Sequence, residues 1–161
     1  MAKQRHQFGF SLLETLIYIA LFSFILSGIL AGTFYMLDST ERTRAKLLLE
    51  EEGNFLLRKI TWALSGLDTI QVPASGNSGP ILTVIRVGLP LGENPLTFSE
   101  NGGVLQMQRG SNPTISLSSS GVSVSGLTFE HIASVVGKPA AVKINFQLNG
   151  KPFETIKYIR Q

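Results

Sequence analysis

Charge disappears from the chain between Thr15 and Leu37, and the polar pattern changes twice after that. The twenty-three residues of this stretch include no Asp, Glu, Lys, Arg or His. As a helix rising about 1.5 Å per residue they reach roughly 34 Å, enough to cross a hydrocarbon core of about 30 Å. From Asp38 to Ser65 the spacing stays helical but becomes one-sided. Leu49, Leu56, Ile60, Ala63 and Leu64 fall on one stripe, and Glu50, Glu51, Glu52, Arg58 and Lys59 lie mostly off it. Gly66 suits a helix stop, because the left-handed conformation that closes many helices carries no penalty for glycine. Gly53 weakens the middle. The pattern predicts one long helix from about Ser11 to Ser65, apolar all round in its first half and amphipathic in its second. The run Glu50 to Glu52 reads as a solvated helix face.

Beyond Gly66 the period shortens. Gly, Pro, Ser and Asn punctuate short apolar runs, which predicts strands and turns. Ile81 to Arg86 is one predicted strand. Leu96 to Phe98 and Val104 to Gln108 flank Glu100-Asn101-Gly102-Gly103 as a hairpin. Ala141 to Leu148 alternates, with Val142, Ile144, Phe146 and Leu148 on one face. Asn149-Gly150 then gives a strong hairpin signal. Phe153 to Ile159 returns, but Phe153 and Ile156 have opposite parity, which predicts a bulge or two-sided burial. Ser116 to Ser125 also alternates and predicts one solvent-facing polar surface. The fold class is α+β: a long N-terminal helix packed on a C-terminal antiparallel β-sheet head.

The start of the span separates this chain from an ordinary membrane anchor. A secretory signal has an apolar core of about 7 to 15 residues and a small-residue cut site, and this run is longer. A short basic leader, Met1 to Gln7, runs into Gly9-Phe10-Ser11-Leu12-Leu13-Glu14. Glu14 is a carboxylate inside otherwise apolar sequence. An acid within a bilayer costs several kcal/mol on the mildest scales, so by default it marks function and needs a partner.

Leader, Gly-Phe junction, acid and span together resemble the processing motif of type IV prepilins and type II secretion pseudopilins, over roughly residues 1 to 65. The resemblance implies a membrane prepilin peptidase that cuts after Gly9 and methylates the new terminus at Phe10. It makes Glu14 the family's signature acid, meeting the Phe10 ammonium of a neighbouring subunit. It further implies other pilin or pseudopilin subunits and an inner-membrane platform with a cytoplasmic ATPase as partners. The expected organisation is a leader at 1–9, a transmembrane and filament-core helix at 10–37, an amphipathic stalk helix at 38–66 and a β-rich extracytoplasmic head at 67–161. Many type IV pilins close a C-terminal loop with a disulfide, and this chain has no cysteine. That departure tilts the reading toward a minor pilin or pseudopilin. Retention of Glu14 argues against the outermost tip position. Related pilins often carry a proline within the membrane half. Here Gly28 and Gly32 stand there instead, four apart on one face, a spacing that lets helices approach closely in a membrane.

Charge refines the picture. The 161 residues carry 14 Lys and Arg against 11 acids, a net of +3. Cutting after Gly9 removes Lys3 and Arg5 and leaves a near-neutral chain, a poor electrostatic match for nucleic acid. Lys3 and Arg5 favour a cytoplasmic leader, while Arg42, Arg44 and Lys46 lie just past the far end of the span. The resemblance, more than charge, places the head outside the cytoplasm, with the chain as a single-pass inner-membrane protein and then a filament subunit.

Candidate chemistry is sparse. His6 lies in the leader and His131 stands alone beside Glu130, which fits a half-exposed strand residue better than a metal ligand or catalytic base. Asp38 and Asp68 are the only aspartates and are far apart, so no calcium loop is visible. Gly76-Asn77-Ser78-Gly79 lacks the Lys-Ser/Thr of a phosphate loop and reads as a turn. Trp62 reads as a packing residue of the amphipathic helix, or as an inter-subunit contact. No metal or cofactor is expected, and the chain reads as a structural subunit rather than an enzyme. Two other classes fit parts of the pattern: a signal-anchored extracytoplasmic binding module, and a competence-type DNA-uptake pilin.

Overall fold

The computed structural model describes residues 11–159. The chain is α+β: among the described residues one long helix is followed by nine strands in two antiparallel sheets. Its contacts divide it into two units, Met1–Lys46 and Leu47–Gln161.

In the first unit the described residues are the opening of helix α1, Leu12–Ala63. Ser11 is its N-cap, accepting the Glu14 amide hydrogen on Oγ at 3.3 Å. Gly9 and Phe10 lie outside the described residues. The large apolar side chains from Leu12 to Leu37 are exposed around the whole circumference. α1 is long and apolar enough to cross a membrane, and none of its apolar window is buried within the protein. Three hydroxyls of the span bond back to the helix's own carbonyls. Thr15 donates to the Leu12 carbonyl at 2.9 Å, Ser27 to that of Ser23 at 2.7 Å, and Thr33 to that of Ile29 at 2.9 Å. Such internal bonds are what an apolar medium demands, since lipid offers no acceptor.

In the second unit, the last turns of α1 supply the predicted stripe. Leu56, Ile60, Ala63 and Leu64 are buried and Leu49 is partly so. Gly53 belongs to the same stripe and is buried with it. The helix ends at Ala63, two residues before the predicted limit, and Gly66 takes φ +81° just beyond. Arg86 completes the stop: its Nε donates to the Ser65 carbonyl at 2.9 Å, and its guanidinium carbon lies 4.1 Å from the centre of the Trp62 ring. A cation at a helix C-terminus satisfies a carbonyl left without an intrahelical partner and complements the dipole. Trp62 thus packs as expected, though against a guanidinium rather than in the core.

The first sheet holds β1 (Leu67–Val72), β3 (Leu82–Arg86), β4 (Leu96–Asn101), β5 (Val104–Arg109) and β6 (Ile115–Ser116), in the order β1-β3-β4-β5-β6. The second holds β2 (Ser78–Gly79), β7 (Val124–Ile132), β8 (Ala141–Leu148) and β9 (Lys151–Tyr158), in the order β2-β7-β8-β9. Both predicted hairpins form. β4 and β5 pair from Leu96↔Arg109 to Asn101↔Val104, and β8 and β9 pair from Leu148↔Lys151 to Ala141↔Tyr158. Asn149 (φ 48°) and Gly150 (φ 82°) make the second turn. One core joins both sheets to α1: Leu82, Leu96, Phe98 and Leu105 from the first sheet meet Phe129, Ile144, Phe146 and Leu148 from the second, around Leu56 and Ile60. Each such side chain contributes roughly 1.5–3 kcal/mol by burial.

The structure corrects several expectations. β9 carries no bulge, since its register with β8 is unbroken, and Ile156 is exposed on the outer face rather than buried. The extra residue sits in β7, between Ser125 and Thr128, where Gly126 takes φ +62°. It switches parity, so that Val124, Leu127 and Phe129 all point into the core. Ser116 to Ser125 is not one alternating strand. β6 ends at Ser116 and the chain loops to Val124. Ser118 is buried there, its Oγ accepting the Leu105 amide hydrogen at 3.1 Å. Ser78–Gly79, read as a turn, forms a short strand against β7, paired with Glu130 and Phe129. β1 was not foreseen. Its two register shifts against β3 break the alternation that would have announced it.

Candidate assembly and processing site

Two places hold the polar groups that matter: the first turns of α1, and the face where its second half meets the sheets. In the first, Ser11 caps the helix and Glu14 sits in its opening turn. An acid there is favoured by the positive end of the helix dipole. Glu14 is half-exposed among exposed Leu12, Leu13, Leu16 and Ile17. One carboxylate oxygen, Oε1, accepts a hydrogen bond from the Tyr18 hydroxyl at 3.2 Å. Tyr18 is one helical turn on, at i+4, and long helical side chains lean back toward the N-terminus, which brings the phenol over the acid. In the sequence, Tyr18 is marked only by its i, i+4 spacing from the lone acid of an apolar run.

Gly28 and Gly32 occupy one face of α1, and a Cβ added at either would meet no heavy atom within 4 Å. They present bare backbone.

On the second face the acidic run divides by position. Glu51 is exposed, as a solvated face requires, but its neighbours are bonded, Glu50 to a strand and Glu52 to a loop. Glu50 accepts a hydrogen bond from Lys151 Nζ at the start of β9. That bond and the Lys151 charge hold the Glu50 carboxyl below its ordinary range. Glu52 accepts from the Ser119 amide and, at 2.8 Å, from the Ser119 hydroxyl, tying the 117–123 loop to the helix. Residues 102–104 and 119–123 with Asn149 line a shallow concavity of about 260 Å³, whose lining carries no ionisable side chain. His131 is half-buried on β7, with Nδ1 3.1 Å from the Pro73 carbonyl oxygen. Among the described residues no three His, Asp or Glu side chains come together as a metal site would require.

Comparison with known proteins bears on the first of these places. Residues 4–30 match the family model of the prokaryotic N-terminal methylation motif. No curated protein and no solved structure matches the chain. The matched segment takes in the leader from Gln4 onward, the Gly9-Phe10 junction, Glu14 and Gly28. The motif implies processing by a prepilin peptidase and assembly with other pilins, and with the apolar N-terminal helix it supports a membrane anchor. It is the motif of type IV pilin- and pseudopilin-like structural subunits.

Proposed function

We infer that this chain is a minor pilin or minor pseudopilin, a structural subunit of a type IV pilus or type II secretion-like filament. A prepilin peptidase cuts between Gly9 and Phe10 and methylates Phe10. Residues 10–37 then anchor the subunit in the inner membrane and later form filament core. Residues 38–66 continue as the stalk, and 67–161 form an extracytoplasmic head. The carrying observation is the methylation motif at residues 4–30 set at the start of a 52-residue helix. That helix exposes apolar side chains all round at its start and buries a stripe at its end.

Assembly follows from charge. In lipid, Glu14 and a cationic Phe10 terminus are each costly. Brought together between neighbouring subunits they compensate one another, and such a pair sets register more surely than it adds net stability. The partners are the peptidase, the inner-membrane platform with its ATPase, and sister subunits. Gly28 and Gly32 supply close-packing positions between helices. Mass spectrometry of protein taken from its native membrane tests the reading: the expected terminus is N-methylphenylalanine at Phe10. An intact Met1 terminus would overturn it and favour a signal-anchored binding module.

A further inference from the structure

Before a neighbouring subunit arrives, Glu14 stands in apolar surroundings, and among the described residues no Lys, Arg or His side chain forms an ion pair with it. Its side chain is nevertheless engaged. The Tyr18 hydroxyl donates to Oε1 at 3.2 Å, an uncharged donor supplied by the same helix. We propose that Tyr18 is a positioning residue for Glu14: it occupies Oε1, fixes the carboxylate along the helix surface and leaves Oε2 free to meet the incoming cation. This rests on the reading of Glu14 as the assembly carboxylate.

The physical case has three parts. A carboxylate offers about four acceptor sites, and in lipid no water fills them. A phenol satisfies one without adding a second charge to the span. A side chain already held in one rotamer loses less freedom when its partner docks, so the ammonium meets a preorganised oxygen. Neither a leucine nor a phenylalanine at position 18 could do this, although either would serve an apolar helix equally well. The hydroxyl is therefore what hydrophobic anchoring alone leaves unexplained.

The test uses full-length protein processed in its own membrane. Tyr18→Phe removes only the hydroxyl and makes the span slightly more apolar, so insertion and leader removal are expected to continue. Incorporation into filaments is expected to fall roughly three- to tenfold, the equivalent of one net hydrogen bond. A direct readout accompanies it. The infrared carboxyl band lost in Glu14→Gln is that of Glu14, and Tyr18→Phe is expected to shift it. Glu14→Asp keeps the acid but shortens it beyond Tyr18's reach. It is expected to match the Tyr18→Phe defect, with the double variant no worse than either. Wild-type incorporation of Tyr18→Phe, an unmoved Glu14 band, or additive defects in the double variant would each overturn the proposal. Normal incorporation of Glu14→Ala would instead overturn the underlying reading of Glu14.

Discussion

At the scale of single residues, Gly53 shows how the local and the tertiary requirement can oppose each other. Glycine inside a helix costs up to about 1 kcal/mol relative to alanine. Here a Cβ would stand 2.1 Å from Phe153 Cε1 and 2.4 Å from its Cζ. The ring has little room to withdraw, because it stacks on Phe146 with centroids 5.7 Å apart. Overpacking of this kind costs about 1–3 kcal/mol, which outweighs the gain in propensity. Gly53→Ala is therefore expected to destabilise the protein by about 1–2 kcal/mol, lowering the melting temperature of detergent-solubilised protein by several degrees. Phe153→Leu in the same chain should recover part of the loss, and an unchanged melting temperature for Gly53→Ala would show that the ring moves aside. Glu50 supports a second expectation. Lys151 holds its folded pKa below the ordinary value of 4.5. Folded protein then binds fewer protons there than unfolded protein. The stabilisation is present above pH 4.5 and is lost as pH falls through the depressed folded value. Melting curves of wild type and Glu50→Gln should differ slightly at neutral pH and converge in that acid window. The difference stays small because both partners face solvent. A gap that does not change with acid would show that the pair contributes nothing.

At the scale of elements, Glu52 acts as a clasp. It binds both the amide and the hydroxyl of Ser119 from a helix turn sixty-seven residues away in sequence. Glu52→Ala should free the 117–123 loop without unfolding the sheets. Amide exchange should rise at Ser119 and its neighbours while β8 stays protected, and equal protection in both proteins would count against the clasp. Gly28 and Gly32 carry the matching expectation for the membrane half: the double change to leucine should insert and be processed but assemble poorly, and normal assembly would remove the packing role. The elements also show what was legible beforehand. The apolar span, the Leu56-Ile60-Ala63 stripe, both hairpins and β8 could be read because each repeats one period over several residues. The parity-switching bulge at Gly126, the two-residue strands β2 and β6, and the irregular β1 could not, because each departs from its period within a few residues. Gly53 and Glu52 were read from local propensity and solvation, and distant partners decided them instead: Phe153 for one, Ser119 for the other. Glu14 was visible from sequence because a lone acid in an apolar run is costly. Tyr18 was not, because a tyrosine there also passes as an ordinary apolar residue.

At the scale of the whole molecule, the proposed pathway separates insertion, cleavage and assembly, and Glu14 should matter to the last alone. Insertion depends on the apolar run, and replacing an acid by alanine makes that run more apolar. Cleavage depends on the Gly9-Phe10 junction, which the acid does not form. Assembly needs a partner for the Phe10 ammonium, and when subunits add at the base each newcomer brings its acid to the amine already in place. Glu14→Ala should therefore enter the membrane and lose its leader like wild type, yet be missing from purified filaments or their initiation complex. Moving the acid to Leu13 should not restore it, because one residue turns the group about 100° around the helix. Three measurements on one strain separate these steps: membrane fractionation, the mass of the amino terminus, and the subunit content of sheared filaments. A loss at the first or second would place Glu14 in targeting or in protease recognition. Wild-type content at the third would show that the ion pair does not drive incorporation. It would also reopen the tip, since the first subunit of a filament has no earlier neighbour whose amine its acid could meet.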